Sequence, residues 1–173
     1  MLLIAIMLTA FSMDWQRQLF KSMGKDSTLS GRTVLWDHGM EIGGETPILG
    51  HGYGAFWVQG NPRAEQLWYD NNISARSGFH FHNLYMETFV ELGAVGLIFV
   101  IGLILMILGK CTYLTLRYGM RMEFILSLAI TIMFLIRSFV EVDLIGTFNI
   151  GPFLFFWIIP KLSQTQAVAQ NPE

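Results

Sequence analysis

The sequence predicts an all-α integral membrane protein: a fragment of a multi-span helical bundle with a large extracytoplasmic loop that contains short helices of its own. Three observations carry this reading. Of the 173 residues, 53% are hydrophobic and only 14% are charged. A soluble domain carries about a quarter charged residues, so this chain lacks the polar side chains to cover a water-facing surface. Mean hydropathy is +0.46, and the apolar residues gather into runs that approach the roughly 20 needed to cross a bilayer core about 30 Å thick.

Taken in order, residues 1–11 (Met1–Phe11) form an apolar run of about half a crossing. No Lys or Arg precedes it and no small-residue cleavage site follows, so it reads as the remnant of a longer transmembrane helix whose beginning is missing, not as a signal peptide. Residues 12–88 form the loop. Within it, Ser30 is placed to cap a short helix that includes Arg32 and Trp36 and ends at Gly43-Gly44. Thr46–Trp57 is turn-rich, with glycines at 50, 52 and 54, and lacks the Gly-Lys-Ser/Thr ending of a nucleotide-binding phosphate loop. Asn61-Pro62 pairs a cap with a proline at the first helical position, opening a helix that stops near Asn71-Asn72.

Asn83 is then placed to cap the helix that becomes the first full span, 89–109. Its run Phe89–Leu108 holds one ionisable residue, Glu91, and its glycines at 93, 96 and 102 suit close helix packing. A short loop, 110–123, leads to a second span, 124–143. A third, 144–160, is expected to kink where Gly146, Asn149, Gly151 and Pro152 interrupt it, before a tail at 161–173. Lys110, Arg117, Arg121 and Lys161 set the 110–123 loop and the tail on the cytoplasmic side, which puts 12–88 outside.

Several functions are disfavoured at once. A formal net charge of −2 without a basic block argues against nucleic acid as a partner. The single cysteine, Cys111, provides no internal disulfide, thiolate cluster or redox pair. A channel or transporter needs polar residues along several spans, and Phe89–Leu108 offers almost none.

The chemistry is therefore expected in the loop and at the span ends. His82 precedes the Asn83 cap. The positive end of a helix and its unpaired amides would attract phosphate and keep a nearby imidazole neutral, able to accept a proton. The bland alternative is a structural histidine, and for Arg32 an interfacial anchor. The pair His80-x-His82 has metal-ligand character, but no third ligand with recognisable spacing follows, so neither a metal nor another cofactor is expected. His38 and His51 read as surface or turn residues. Arg137 and Glu141 lie four apart, on one face of a continuing helix, where an ion pair lowers the cost of both near lipid. Phe153, Phe155, Phe156 and Trp157 read as lipid-facing or packing residues.

The ordered set is more telling than any one motif. Ser-Gly-Arg32-Thr-x-x-Trp36, then Pro-Ile-Leu-Gly-x-Gly-Tyr-Gly-Ala-Phe-Trp57, then His82-Asn-x-Tyr-x-Glu87 and Glu91-Leu-Gly-x-x-Gly resemble the O-antigen ligase and polymerase family, closest to its exopolysaccharide polymerases. The resemblance runs from about Ser30 to Asp143, where Arg137-Ser-Phe-x-Glu-x-Asp also fits, and covers only the C-terminal part of such chains. It implies a multi-span, GT-C-like glycosyltransferase at the bacterial inner membrane, facing the periplasm, that works without a metal and inverts the anomeric centre. The implied donor is an undecaprenyl-diphosphate-linked glycan and the implied acceptor a glycan or lipid A-core hydroxyl, with the missing N-terminal spans as a further partner. By position, Arg32 takes the family role of contacting the diphosphate and His82 that of the histidine opening the helix after the large loop. Glu87, Glu91, Arg137 and Glu141 are expected to support substrate binding. The competing function is a non-catalytic accessory module of a polysaccharide export complex.

Overall fold

The computed structural model describes residues 32–119, 121–146 and 150–170. The expected membrane remnant at 1–11 and the Ser30 cap lie outside them. Five helices follow in order: α1 (Arg32–Glu45), α2 (Pro62–Asp70), α3 (Leu84–Tyr118), α4 (Met122–Arg137) and α5 (Ile150–Gln170). Among the described residues there is no strand, and α3 is the one helix long and apolar enough to cross a membrane.

Two hydrophobic cores share α3. In the first, α3 contributes Ile104, Ile107, Cys111 and Leu114, α4 contributes Phe124 and Phe134, and α5 contributes Phe155 and Leu162. With the buried Ser127 and Thr131 of α4 and Ile158 of α5, each set repeats every three or four residues along one helical stripe. The opposite faces are apolar as well: Ile98, Phe99 and Leu116 on α3 are 71%, 78% and 81% exposed. Apolar side chains on both faces are what a helix needs when its surroundings are lipid. On α5, Phe155 packs edge-on to Phe134 while Phe153, Phe156 and Trp157 point outward, so the aromatic run divides between packing and exposure.

The second core belongs to the loop. Trp36 and Ile42 of α1, Leu67 and Trp68 of α2, and Phe56 and Phe81 pack against Met86 and Val90 on the first turns of α3. Asn61 caps α2, accepting from the Arg63 amide at 3.1 Å, with Pro62 at the first helical position and Asn71 closing the helix. Gly39 of α1 lies against Met86, where an added Cβ would come within 2.8 Å of its Cγ, so α1 approaches α3 through a glycine.

Two helix ends differ from the sequence expectation. α4 stops at Arg137, and 138–146 are non-helical. The chain turns there because the carbonyls at 138 and 139 serve α3 instead of continuing a helix. The last helix starts at Ile150, so Gly151 and Pro152 fall in its first turn, where the missing proline N–H has no intrahelical partner to lose. The proline inside the helix is Pro160. Gly151 lets the Asp143 carbonyl approach, since a Cβ there would sit 2.3 Å from its oxygen.

Candidate functional site

The site is built around a break in α3. Gly93 has φ 64° and ψ −163°, a backbone conformation effectively reserved for glycine, and it separates the loop-facing turns from the apolar stretch. The break frees two carbonyls and two amides, and the turn-rich segment 47–52 takes up all four. His51 and Gly52 donate to the Val90 and Glu91 carbonyls at 2.9 and 2.8 Å, while Ala94 and Val95 donate to the Pro47 and Ile48 carbonyls at 2.8 and 3.2 Å. Backbones approach so closely that a Cβ on Gly50 would lie 2.4 Å from the Glu91 carbonyl, and one on Gly93 2.4 Å from that of Ile48. The two glycine motifs of the sequence are thus halves of one junction. Of the glycines expected to serve close helix packing, Gly93 makes this break and Gly102 faces open space.

At the start of α3, Asn83 caps the helix, its side-chain oxygen accepting from the Tyr85 and Met86 amides at 3.0 and 3.1 Å. The Leu84 amide donates to the Ser138 carbonyl and the Glu87 amide to that of Asn83. All of these amides are therefore engaged. The expectation of free amides for phosphate is corrected: the helix end offers its dipole, and the donors are spent on its cap and on the turn after α4. Asn83 Nδ2 also reaches the Phe139 carbonyl, and the Tyr85 hydroxyl lies 2.9 Å from Ser138 Oγ, so this turn is locked to α3.

That lock brings together three side chains far apart in sequence. Arg32, at the start of α1, donates to the Val140 carbonyl at 3.2 Å and places Nη2 3.6 Å from Glu141 Oε1. His82 places Nδ1 3.6 Å from Glu141 Oε2. This separation is an electrostatic contact beyond hydrogen-bond length, and Nδ1 is buried without another partner. His82 holds a positive φ of 50°, and its amide donates to His80 Nδ1 at 3.1 Å. Both imidazoles have their pKa lowered from the ordinary value of 6.5. For His82 burial is the main cause, followed by the Arg32 charge, with Glu141 opposing. For His80 burial again leads, followed by His82. Burial and the neighbouring charge thus favour the neutral form of both rings.

The remaining expected residues divide. Arg137 pairs with Asp143 through two hydrogen bonds, one of them 3.1 Å, instead of forming the expected ion pair with Glu141. The physical reason is that the Glu141 carboxylate faces Arg32 and His82, while Asp143 offers both its oxygens to the guanidinium. Glu87 is buried and accepts from Trp57 Nε1 at 2.8 Å and the Phe81 amide at 2.7 Å, so it ties the loop core to α3. Glu91, also buried, accepts from the Gly54 amide. Sequence reasoning missed that Glu141 provides a third donor to the histidine pair: the donor atoms of His80, His82 and Glu141 all lie within 4.8 Å of one another. No spacing rule would have found it, because a turn and not a helix carries Glu141. The Arg32 guanidinium on the same carboxylate and the engagement of His80 Nδ1 both oppose a cation there. His51 is half-buried in the junction, with Nε2 3.2 Å from the Ile42 carbonyl.

Fold and site together define a helical membrane protein whose loop and span ends converge on an arginine, a neutral histidine and a glutamate. Comparison with known proteins makes the family explicit: the O-antigen ligase family model matches residues 1–101, and the chain belongs to that family. It is 39% identical over 143 residues to the exopolysaccharide production protein ExoQ of Rhizobium meliloti (strain 1021), a match covering 82% of this chain and 33% of that protein. The chain thus spans about a third of the length of this relative. No solved structure matches.

Proposed function

We propose that this chain carries the catalytic loop of a membrane glycosyltransferase in surface or exopolysaccharide biosynthesis. The enzyme moves a glycan from an undecaprenyl-diphosphate-linked donor to a sugar hydroxyl. The reaction takes place at the outer face of the bacterial inner membrane, with α3 crossing the bilayer and the loop in the periplasm. The observation that carries the reading is the convergence of Arg32, His82 and Glu141.

The chemistry follows from the groups. The acceptor oxygen attacks the anomeric carbon from the face opposite the diphosphate. The bond from carbon to the phosphate oxygen breaks, and the configuration inverts. Arg32 uses only some of its five N–H donors on Val140, and the others are suited to the negative charge growing on the departing diphosphate. Neutral His82 takes the acceptor proton. Its Nδ1 faces Glu141 inside the protein, which leaves Nε2 as the working atom, and Glu141 balances the imidazolium that forms. No metal is required, because a guanidinium stands where a cation would act. The positive φ of His82 fits a side chain held in place for function at some backbone cost.

The test is transfer from a lipid-linked oligosaccharide by the full chain in liposomes. Arg32→Ala and His82→Ala are each expected to lower the rate by at least about a hundredfold, the order typical of a lost general base or charge stabiliser. Either variant, folded and fully active, would sink the assignment. Glycan binding without transfer by the wild type would instead support an accessory module.

A further inference from the structure

Beside the reacting groups lies a cleft of about 290 Å³ that the mechanism leaves unused. Tyr53 and Phe79 contribute aromatic surface, Val142 stands on the turn after α4, and Glu87 and Glu91 reach in from α3. His80 also lines the cleft, and its ring centroid lies 4.2 Å from that of His82. The cleft therefore opens next to the histidine that receives the acceptor proton.

We infer that this cleft is the acceptor subsite and holds one neutral pyranose ring. The inference rests on the transferase reading and names the substrate group it binds. A pyranose has an apolar face of axial C–H groups, which packs on aromatic rings, and a rim of hydroxyls. Tyr53 is 53% exposed, so its ring is available without rearrangement. The hydroxyls need acceptors. Two carboxyl groups one helical turn apart are buried here, 5% exposed each, and among the described residues neither forms an ion pair with Lys or Arg. Glu87 has one contact to each oxygen, and Glu91 has the Gly54 amide, which leaves lone pairs for incoming O–H donors. The lining holds no Lys or Arg to pair with the charge of a uronate or phosphorylated sugar, so the subsite selects neutral rings.

The experiment is saturation-transfer NMR on the full chain in detergent micelles, with methyl glucoside, methyl galactoside and methyl mannoside against methyl glucuronoside. At least one neutral pyranoside is expected to bind and the glucuronoside not. Tyr53→Ala and Glu91→Gln are each expected to weaken binding about tenfold, equivalent to ~1.4 kcal/mol. Tyr69→Ala, at an exposed tyrosine on α2, is expected to bind like the wild type. In the transfer assay Tyr53→Ala raises the acceptor KM far more than it lowers kcat. No neutral pyranoside bound, equal binding of the glucuronoside, or undiminished binding by Tyr53→Ala each overturns the subsite. The two readings separate cleanly: His82→Ala keeps pyranoside binding while losing transfer. A wild type that transfers glycan but binds no pyranoside refutes the subsite alone.

Discussion

Replacing Gly93 with alanine tests the junction on which the site is built. The φ of 64° and ψ of −163° cost an alanine about 1–3 kcal/mol on their own. The new Cβ would also fall 2.4 Å from the Ile48 carbonyl carbon and oxygen and 2.6 Å from the Leu49 nitrogen. These are backbone atoms, and no side-chain rotation relieves the clash. If segment 47–52 lifts away, four backbone hydrogen bonds are lost, each worth about 0.5–1.5 kcal/mol net. The total is about 3–9 kcal/mol. For a chain of this size 1 kcal/mol corresponds to ~2–4 °C, so the thermal midpoint of the protein in detergent should fall by about 6 °C or more. Proteolysis of the 46–58 segment should accelerate in parallel. Gly102→Ala is the control: nothing lies within 4 Å of its Cβ position, and helix propensity favours alanine by ~1 kcal/mol. A Gly93→Ala protein that melts with the wild type would refute the junction.

Four further outcomes follow from the same geometry. The rate of transfer should rise with pH through a group titrating below 6.5, because burial and Arg32 depress His82. Glu141→Gln removes the charge that opposes them and should move this limb to lower pH, whereas an upward move in the pH–rate profile contradicts the assignment. The same lowered histidine makes a stability contribution with a defined sign: as pH falls from 6.5 through the folded pKa, the unfolded state binds the proton first, so stability measured by denaturant titration should decline in that window and be level above it. Glu87→Gln keeps the shape but gives two donors, Trp57 Nε1 and the Phe81 amide, only one oxygen to share, and should cost about 1–3 kcal/mol in thermal unfolding. Transfer should survive excess EDTA, since Arg32 occupies the flank of Glu141 where a cation would need to bind; loss of activity restored by a divalent ion would overturn this.

What could be read in the sequence had a local cause. Asn61-Pro62 and Asn83 were visible as helix starts because a cap and its amides lie within three residues of one another. The seams of α3 and α4 repeat every three or four residues, so the apolar runs announced them. The convergence of Arg32 with His82 was reached through family resemblance, since no spacing links a residue on α1 to one before α3. The Gly50–Gly93 junction was illegible for a different reason. It consists of backbone hydrogen bonds, which leave no side-chain signature beyond the glycines, and of these Gly50 reads as a turn residue and Gly93 fits helix packing equally well. The pairing of Arg137 was illegible because the Glu141 carboxylate faces Arg32 and His82, two residues far away in the sequence.

The break in α3 also accounts for the position of the site. A continuous helix of 35 residues is ~52 Å long, well beyond the hydrocarbon core. Without Gly93, its loop-facing turns would continue straight out of the bilayer as a solvated rod. With it, the turns bearing Glu87 and Glu91 change direction and become part of the loop core, and segment 47–52 satisfies the exposed polar backbone at the corner. Asn83 and Ser138 then fasten the far end of those turns to the end of α4. His82 immediately precedes the cap and Glu141 follows the turn fastened to it, so neither hangs on a long flexible tether. Such rigidity suits the proposed reaction, in which a lipid-anchored donor would approach along the bilayer plane and a sugar acceptor from outside. Positioning a base within about an ångström is worth as much to the rate as its chemistry. On the proposed function, the glycine corner places the polar centre at the membrane border, where both substrates would reach it.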